Sequence, residues 1–141
     1  MKNRMKVEFL AQTANVVFAR TVALGFLVNL KIEMNVLNEI KTAISEAVTN
    51  AIVHGYQSDA SKYVEMDIEY DDYQITIKVI DYGIGIPDVE KAREPLYSTK
   101  ESEDRAGLGF TIMEVFMDEL NVFSTLGEKT EVVMMKKYHE E

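Results

Sequence analysis

The chain has 141 residues, with 24 acidic and 15 basic side chains and a net charge of −9. This length fits one domain, so we predict a single domain over residues 1–141. The negative charge argues against direct nucleic acid binding and against association with anionic membranes. The chain has no cysteine, which excludes disulfides and cysteine nucleophiles and is compatible with the cytoplasmic location that we expect. The longest uninterrupted apolar stretch, residues 22–28, is too short to span a membrane.

The first part of the chain predicts one strand followed by two helices. Alternating residues at 7–12 indicate the strand, and apolar residues at helical spacing predict a helix over 13–30, with Thr13 or Asn15 as its amino-terminal cap. A longer amphipathic pattern predicts a second helix from about residue 35 to residue 55. Gly55 suits the left-handed conformation that often follows the end of a helix.

The rest of the chain predicts four strands, a loop and a third helix. Residues 63–70 and 75–79 alternate as in an antiparallel hairpin, and the charged segment 89–106 has no apolar period, so a mobile loop is expected there. A short helix follows over 107–117, and the last strands are predicted near 120–124 and 130–137. Hairpins combined with grouped helices predict an α+β fold, a two-layer sandwich whose sheet carries all three helices on one face.

Glu46 and Asn50 lie four residues apart on the second predicted helix, so their side chains point about 40° apart and can reach one ligand. Glu46 is a candidate proton acceptor, and the amide oxygen of Asn50 is a candidate Mg²⁺ ligand. The same positions fall opposite the apolar face, together with Glu39 and Thr42, so a solvated stripe is the alternative. Asn is a poor helix former, and its place in an otherwise strong helix favours the functional interpretation.

Asp81 ends a predicted strand and precedes Gly83 and Gly85. The pattern differs from the dinucleotide-binding glycine motif, because Pro87 and Asp88 stand where the third glycine and its helix would begin. A carboxylate at this point accepts hydrogen bonds, so it is a candidate reader of the exocyclic amine of adenine. A tight turn without a binding role is the alternative.

Gly107 and Gly109 open the third predicted helix, whose free backbone N–H groups make a candidate phosphate site. Lys100 and Arg105 lie just upstream and are candidates to neutralise phosphate charge. A solvated loop is the alternative, since Glu101, Glu103 and Asp104 lie beside them.

The order of these motifs resembles the N, G1 and G2 boxes of the GHKL ATPase and kinase superfamily. The boxes run from Glu46 to Gly55, from Asp81 to Pro87 and from Gly107 to Phe110. The stretches from Ser45 to Tyr56, from Pro95 to Lys100 and from Gly109 to Glu119 look like those of the sporulation anti-sigma F factor family. This second likeness covers nearly the whole chain.

The resemblance implies a Bergerat-type fold with a mixed, mostly antiparallel sheet. It also implies a cytoplasmic homodimer that uses ATP and Mg²⁺, binds sigma factor F and phosphorylates an anti-anti-sigma partner on serine. Glu46 would be the general base, and Asn50 would be the Mg²⁺ ligand. The implied nucleotide-binding residues are Asn50, Asp81, Gly83, Gly85, Thr99, Lys100, Arg105, Gly107, Gly109 and Thr130. Lys129 departs from the family pattern, where a second glycine is usual.

A sensor histidine kinase needs a phospho-accepting histidine upstream of its ATP site, and the two histidines, His54 and His139, do not fit that role. Phosphoryl transfer to a partner protein is therefore expected. Two other functions stay open: a nucleotide-gated binding module whose catalysis is incidental, and an anti-sigma kinase of the general stress type. Arg20, on the predicted exposed side of the first helix, is a candidate partner-docking residue, with a plain solubilising charge as the alternative.

Overall fold

A computed structural model of the chain describes residues 2–95 and 108–138. In this part of the chain, five strands and four α-helices occur in the order β1, α1, α2, β2, β3, α3, α4, β4, β5. The strands are β1 (Asn3–Leu10), β2 (Tyr63–Tyr70), β3 (Gln74–Asp81), β4 (Glu119–Thr125) and β5 (Lys129–Lys137). The helices are α1 (Asn15–Leu27), α2 (Met34–Asn50), α3 (Val89–Ala92) and α4 (Gly109–Phe116), and a π-helical turn over Ala51–Gly55 continues α2.

The five strands form one sheet in the order β1-β2-β3-β5-β4. Each of its four pairings is antiparallel, so the described sheet is wholly antiparallel where we expected a mixed one. The register of β3 and β5 places Asp81 directly opposite Thr130. That pair of residues lies where β3 ends and β5 begins, at one end of the two neighbouring strands.

The period-2 pattern of the strands separates a buried face of the sheet from a more exposed one. In the two central hairpin strands, alternate apolar residues such as Val64, Met66, Ile75 and Ile77 are fully buried. They form one core with the inward faces of α1, α2 and α4. The α+β sandwich predicted from the sequence is thereby confirmed. Among the residues that the structure describes, no helix is long and apolar enough to cross a membrane.

Three local predictions are wrong. Neither Thr13 nor Asn15 caps α1, because the cap position is Ala14, which makes no side-chain cap hydrogen bond. The side-chain amide of Asn15 instead donates to the Leu10 carbonyl at 2.8 Å. Gly55 is not left-handed, because the chain reverses after the π-helical turn through positive φ angles at Gln57 and Ser58.

The third wrong prediction concerns the start of the charged segment. Val89–Ala92 forms the short helix α3 instead of a loop, because Asp88 caps it by accepting a hydrogen bond from the Lys91 amide at 3.1 Å. The rest of the predicted mobile loop lies outside the described residues.

Candidate functional site

One cavity, with a volume of about 200 Å³, opens where α2, α4, β5 and the turn after β3 meet. Its walls are mostly apolar, and its lining includes one carboxylate, one hydroxyl, one amide and one imidazole side chain, together with three glycines. The lining residues are Ala47, Asn50, Ala51, His54, Gly55, Val79, Asp81, Ile84, Gly85, Ile86, Pro87, Ala92, Gly109, Phe110, Leu126, Thr130 and Val132. An apolar cavity with a few convergent polar groups is the usual form of a small-molecule site.

The carboxyl-terminal half of α2 contributes Glu46 and Asn50. Glu46 is buried, with 5% of its surface exposed, so the solvated-stripe alternative is wrong for this residue. Asn50 lines the cavity and lies against Gly109 at the start of α4. A Cβ atom at position 109 would lie 2.9 Å from Asn50 Nδ2 and 3.1 Å from its Oδ1, so only glycine lets the two helices approach this closely.

Asp81 is buried at the floor of the cavity. Loss of hydration raises its pKa to about 6, and the hydrogen bond that Oδ1 accepts from Gly83 N–H at 3.0 Å acts in the opposite direction. A Cβ atom on Gly55 would collide with the Asp81 carboxyl group. The absence of a side chain at Gly55 thus makes room for the carboxylate.

The turn after Asp81 is held by hydrogen bonds from the backbone N–H groups of every second residue, 82, 84 and 86. Tyr82 N–H donates to Tyr56 Oη at 2.8 Å, Ile84 N–H donates to the Gly55 carbonyl at 3.0 Å, and Ile86 N–H donates to Ser124 Oγ at 2.7 Å. The Tyr56 hydroxyl in turn donates to the Tyr63 carbonyl at 2.5 Å. The backbone of this turn is therefore held by Gly55 at the end of the π-helical turn, by the next residue, Tyr56, and by Ser124 on β4. Strand β2 in turn holds the Tyr56 hydroxyl.

Gly85 has a positive φ of 78°, which favours glycine. A Cβ atom there would also lie 2.6 Å from the Thr125 carbonyl oxygen. A glycine at this position is therefore required both by the backbone conformation and by the close approach of the β4–β5 turn. The same glycine also lines the cavity.

Thr130 is buried and lies across the strand pair from Asp81. Its hydroxyl is 2.8 Å from the hydroxyl of Ser124 on β4. Lys129, where the family pattern has a glycine, begins β5 and is not among the described residues with a positive φ. A lysine is therefore tolerated there, and Thr130 keeps its place on the cavity wall.

The structure brings five of the sequence-predicted residues to the wall of this cavity: Asn50, Asp81, Gly85, Gly109 and Thr130. Glu46 lies one helical turn before Asn50 on α2, and Gly83 supplies a backbone donor to Asp81. Neither Glu46 nor Gly83 is among the lining residues. Arg20 is also outside the lining. Predicted on the exposed side of the first helix, it is half-buried and donates to Ser45 Oγ at 3.1 Å. Thr99, Lys100, Arg105 and Gly107 lie outside the described residues.

Sequence reasoning missed the roles of Tyr56, Gly55 and Ser124. Tyr56 and Ser124 act through hydrogen bonds to residues distant in the chain, and no local pattern signals such bonds. Gly55 is the last residue of the first motif, yet its contact with Asp81 depends on the packing of β3 beside the π-helical turn.

The chemistry of the cavity fits a purine nucleotide. Apolar walls suit a flat base, a buried carboxylate suits an amine donor, and the free N–H groups at the start of α4 suit phosphate. The described residues contain no group of three His, Asp or Glu side chains able to hold a metal. A single amide oxygen from Asn50 fits a Mg²⁺ ion that arrives with phosphates, because Mg²⁺ commonly takes only one or two protein ligands.

The family model of the histidine kinase-like ATPase domain matches residues 9–137. The chain is 48% identical to the anti-sigma F factor of Clostridium perfringens over 137 residues, which are 97% of this chain and 98% of that one. The chain belongs to the anti-sigma F factor family. The anti-sigma F factor of Geobacillus stearothermophilus is 45% identical, with 99% of this chain and 96% of that one covered.

A solved structure supports the fold of this family member. The crystal structure of the RsbU and RsbW domains of Rv1364c from Mycobacterium tuberculosis superposes with a TM-score of 0.69 and covers 96% of this chain. The chain spans about a third of that protein, 32% of its length, and the sequences are 17% identical. At this level of identity, the likeness shows that the two chains share a fold.

Proposed function

We propose that this member of the anti-sigma F factor family is an ATP-dependent protein-serine kinase that also sequesters sigma factor F. Its second partner is an anti-anti-sigma protein, which it phosphorylates on serine. The observation that carries the proposal is the convergence of Asn50, Asp81 and Gly109, from three separate motifs, on one cavity. The near full-length similarity to anti-sigma F factors supports the choice of partners. The proposal includes a single domain over residues 1–141 and a cytoplasmic homodimer.

The adenine base is proposed to occupy the apolar end of the cavity. Asp81 accepts a hydrogen bond from the exocyclic amine, and Thr130 lies beside it on the next strand. Gly83 and Gly85 shape the turn that holds Asp81, and apolar side chains such as Ile86 and Val132 line the walls. Burial of the carboxylate makes a hydrogen bond to it strong, because water competes poorly there.

The phosphates are proposed to lie at the other end, against Asn50 and the start of α4. Gly109 keeps this approach free of side chains, and the first N–H groups of an α-helix attract negative charge. Thr99, Lys100, Arg105 and Gly107 complete the proposed nucleotide-binding set. Asn50 offers its amide oxygen to a Mg²⁺ ion that accompanies the nucleotide and that neutralises phosphate charge when it is bound.

Glu46 is proposed as the general base. The partner's serine oxygen bonds to the γ-phosphorus, and the hydroxyl proton passes to the Glu46 carboxylate. The bond from the γ-phosphorus to the oxygen that bridges to the β-phosphate breaks, and ADP leaves with that electron pair. Such transfers depend on positioning and charge neutralisation, so a buried carboxylate one turn from Asn50 is well placed to supply the proton acceptor.

Replacement of Glu46 by glutamine tests this assignment. Glu46→Gln keeps the side-chain volume but removes the proton acceptor, so we expect a loss of about 100-fold or more in phosphoserine formation with nearly unchanged ADP affinity. The measurement is a single-turnover incubation with labelled ATP, Mg²⁺ and the candidate anti-anti-sigma partner. Glu33→Gln, at an exposed position before α2, is the matched control and should transfer at the wild-type rate.

Undiminished transfer by Glu46→Gln would remove Glu46 from this role. If the wild-type protein binds ATP but forms no phosphoserine at any time, the nucleotide-gated binding module becomes the better account.

A variant of Arg20 tests the sequestering function. Arg20 is proposed as a docking residue because its guanidinium reaches Ser45, the neighbour of Glu46, from the half-buried face of α1. Arg20→Glu should weaken capture of the sigma factor or of the anti-anti-sigma partner in a pull-down. Equal affinity of the variant and the wild type for both partners would exclude Arg20 from docking, and light scattering of the purified chain reports whether it is a dimer.

A further inference from the structure

Ser124 on β4 is the centre of a small hydrogen-bond network behind the cavity wall. Its hydroxyl oxygen lies 2.7 Å from Ile86 N, 3.1 Å from the Lys129 carbonyl oxygen and 2.8 Å from Thr130 Oγ1. Ser124 itself is not among the residues that line the cavity, whereas Ile86 and Thr130 are. The network therefore links two cavity residues through a third residue behind them.

The chemistry of the partners fixes the direction of two of the three bonds, and the single proton of Ser124 then decides the third. A backbone N–H only donates and a carbonyl oxygen only accepts, while a hydroxyl has one proton and two lone pairs. Ser124 therefore accepts from Ile86 N–H and donates its single proton to the Lys129 carbonyl. The remaining bond is complete only if Thr130 donates its proton to Ser124.

We propose that Ser124 is a positioning residue that turns the Thr130 hydroxyl into a hydrogen-bond acceptor toward the cavity, and so selects an aminopurine over an oxopurine. With its proton held by Ser124, Thr130 presents only lone pairs to a ligand. Asp81, directly opposite on β3, also presents acceptor oxygens. The inference rests on the proposed function, because it assumes that a purine nucleotide occupies this cavity.

Two neighbouring acceptors discriminate between the purine bases. Adenine carries an amine donor at C6, whereas guanine carries a carbonyl acceptor at the same position. Guanine would therefore place its oxygen against the lone pairs of Asp81 and Thr130, with no proton between them. A Thr130 hydroxyl released from Ser124 can rotate and donate to that oxygen, which removes part of the penalty.

Replacement of Ser124 by alanine tests the inference. The measurement is the dissociation constant of Mg²⁺-ATP and of Mg²⁺-GTP by calorimetric titration, for wild type and for Ser124→Ala. We expect the preference for ATP over GTP to fall about tenfold, as for the loss of one discriminating hydrogen bond. A merely structural role would weaken both nucleotides alike and leave their ratio unchanged.

Four further variants sharpen the test: Ser124→Thr, Ser61→Ala, Thr130→Val, and Ser124→Ala combined with Thr130→Val. Ser124→Thr retains the hydroxyl and should restore the ATP preference, and Ser61→Ala, at an exposed serine distant from the cavity in sequence, should leave it at the wild-type value. In a Thr130→Val background no hydroxyl remains to be directed, so Ser124→Ala should cause no additional change in the ratio.

An unchanged ratio in Ser124→Ala, or an equal further loss in the Thr130→Val background, would overturn the inference while leaving the proposed function intact. A wild-type protein that binds neither nucleotide would overturn the proposed function and the inference with it. Loss of the preference in Ser124→Thr to the level of Ser124→Ala would also count against the role of the hydroxyl.

Discussion

Asp81 shows how a single residue connects the stability of the protein to its proposed binding role. Its carboxylate is buried next to Gly55 and receives one backbone hydrogen bond within its own turn, which does not compensate for the lost hydration. The protein therefore retains a costly charge at the floor of a cavity. Perturbed pKa values of this kind concentrate at functional sites.

Replacement of Asp81 by asparagine should stabilise the protein and weaken its nucleotide binding. The pKa of the folded carboxyl group is about 6, against an ordinary value of 3.8, so the folded state holds more protons than the unfolded state between these values. The contribution of Asp81 to the free energy of unfolding of the wild type therefore falls as the pH rises from about 4 to about 6, and then levels. Asp81→Asn lacks this loss and should be more stable by about 2 to 3 kcal/mol at pH 7.

The weaker nucleotide binding expected of Asp81→Asn has a separate cause. Gly83 N–H holds Oδ1, so the asparagine nitrogen takes the Oδ2 position and opposes the adenine amine, donor against donor. Urea unfolding of both proteins at pH 4 and pH 7, with ATP titration at pH 7, measures both effects. Equal stabilities at pH 7, or undiminished ATP affinity, would contradict this account of Asp81.

At the residue scale, the sequence predicted which side chains line the cavity, but it did not predict the packing contacts that bring them together. Asn50, Asp81 and Thr130 all reach the cavity as expected. The role of Gly55 was misjudged, because helix-ending glycines are usually left-handed, whereas here the missing Cβ admits a carboxylate from another strand. Contacts of that kind arise only once the chain has folded.

At the scale of elements, the site depends on the close approach of α2 and α4. Asn50 near the end of one helix contacts Gly109 at the beginning of the other, and the π-helical turn then carries the chain on to Gly55. Two of the three sequence motifs thus meet through a side chain packed on a glycine. Insertion of even one methyl group there should displace the Asn50 amide.

Two glycine-to-alanine variants distinguish the effect of this contact on ATP binding from the effect of helix propensity on stability. Gly109→Ala places a Cβ 2.9 Å from Asn50 Nδ2 and should weaken Mg²⁺-ATP binding at least about fivefold, because Asn50 has to move. Gly25→Ala lies within α1, where a Cβ would meet nothing within 4 Å, and should stabilise the protein by about 0.5 to 1 kcal/mol with unchanged ATP affinity. Calorimetric titration and thermal unfolding of both variants provide the measurements, and equal ATP affinities would contradict the proposed role of the α2–α4 contact.

The predicted order of five strands and three helices is confirmed, and the described residues add one helix, α3, that was not predicted. Alternating apolar residues in the strands and the strong helical period of α2 are local signals, which is why these elements were predictable. Element ends were less predictable. Helix α1 stops at Leu27, and α2 continues into a π-helical turn. Helix α3 is capped by the Asp88 side chain, which apolar periodicity does not detect. The strand order, with β5 between β3 and β4, also follows from long-range pairing that a single sequence does not specify.

At the scale of the whole molecule, the net charge of −9 agrees with the proposed partners. An acidic chain is repelled by DNA but attracts a basic protein surface, so it suits a regulator that binds a DNA-binding sigma subunit instead of the DNA. The cavity, the α2–α4 contact and the half-buried Arg20 all lie on the same sheet-and-helix body. Nucleotide binding and partner binding are therefore expected to influence each other.

The central claim is that three motifs distant in the sequence form one nucleotide site. Titration of the isotope-labelled chain with Mg²⁺-ADP, followed by the backbone amide NMR signals of its glycines, tests this claim directly. The account predicts saturable shifts at Gly83, Gly85 and Gly109 with a common dissociation constant, while Gly25 in α1 stays unshifted. Saturable binding that leaves all three of those signals in place, or no binding at all, would contradict it.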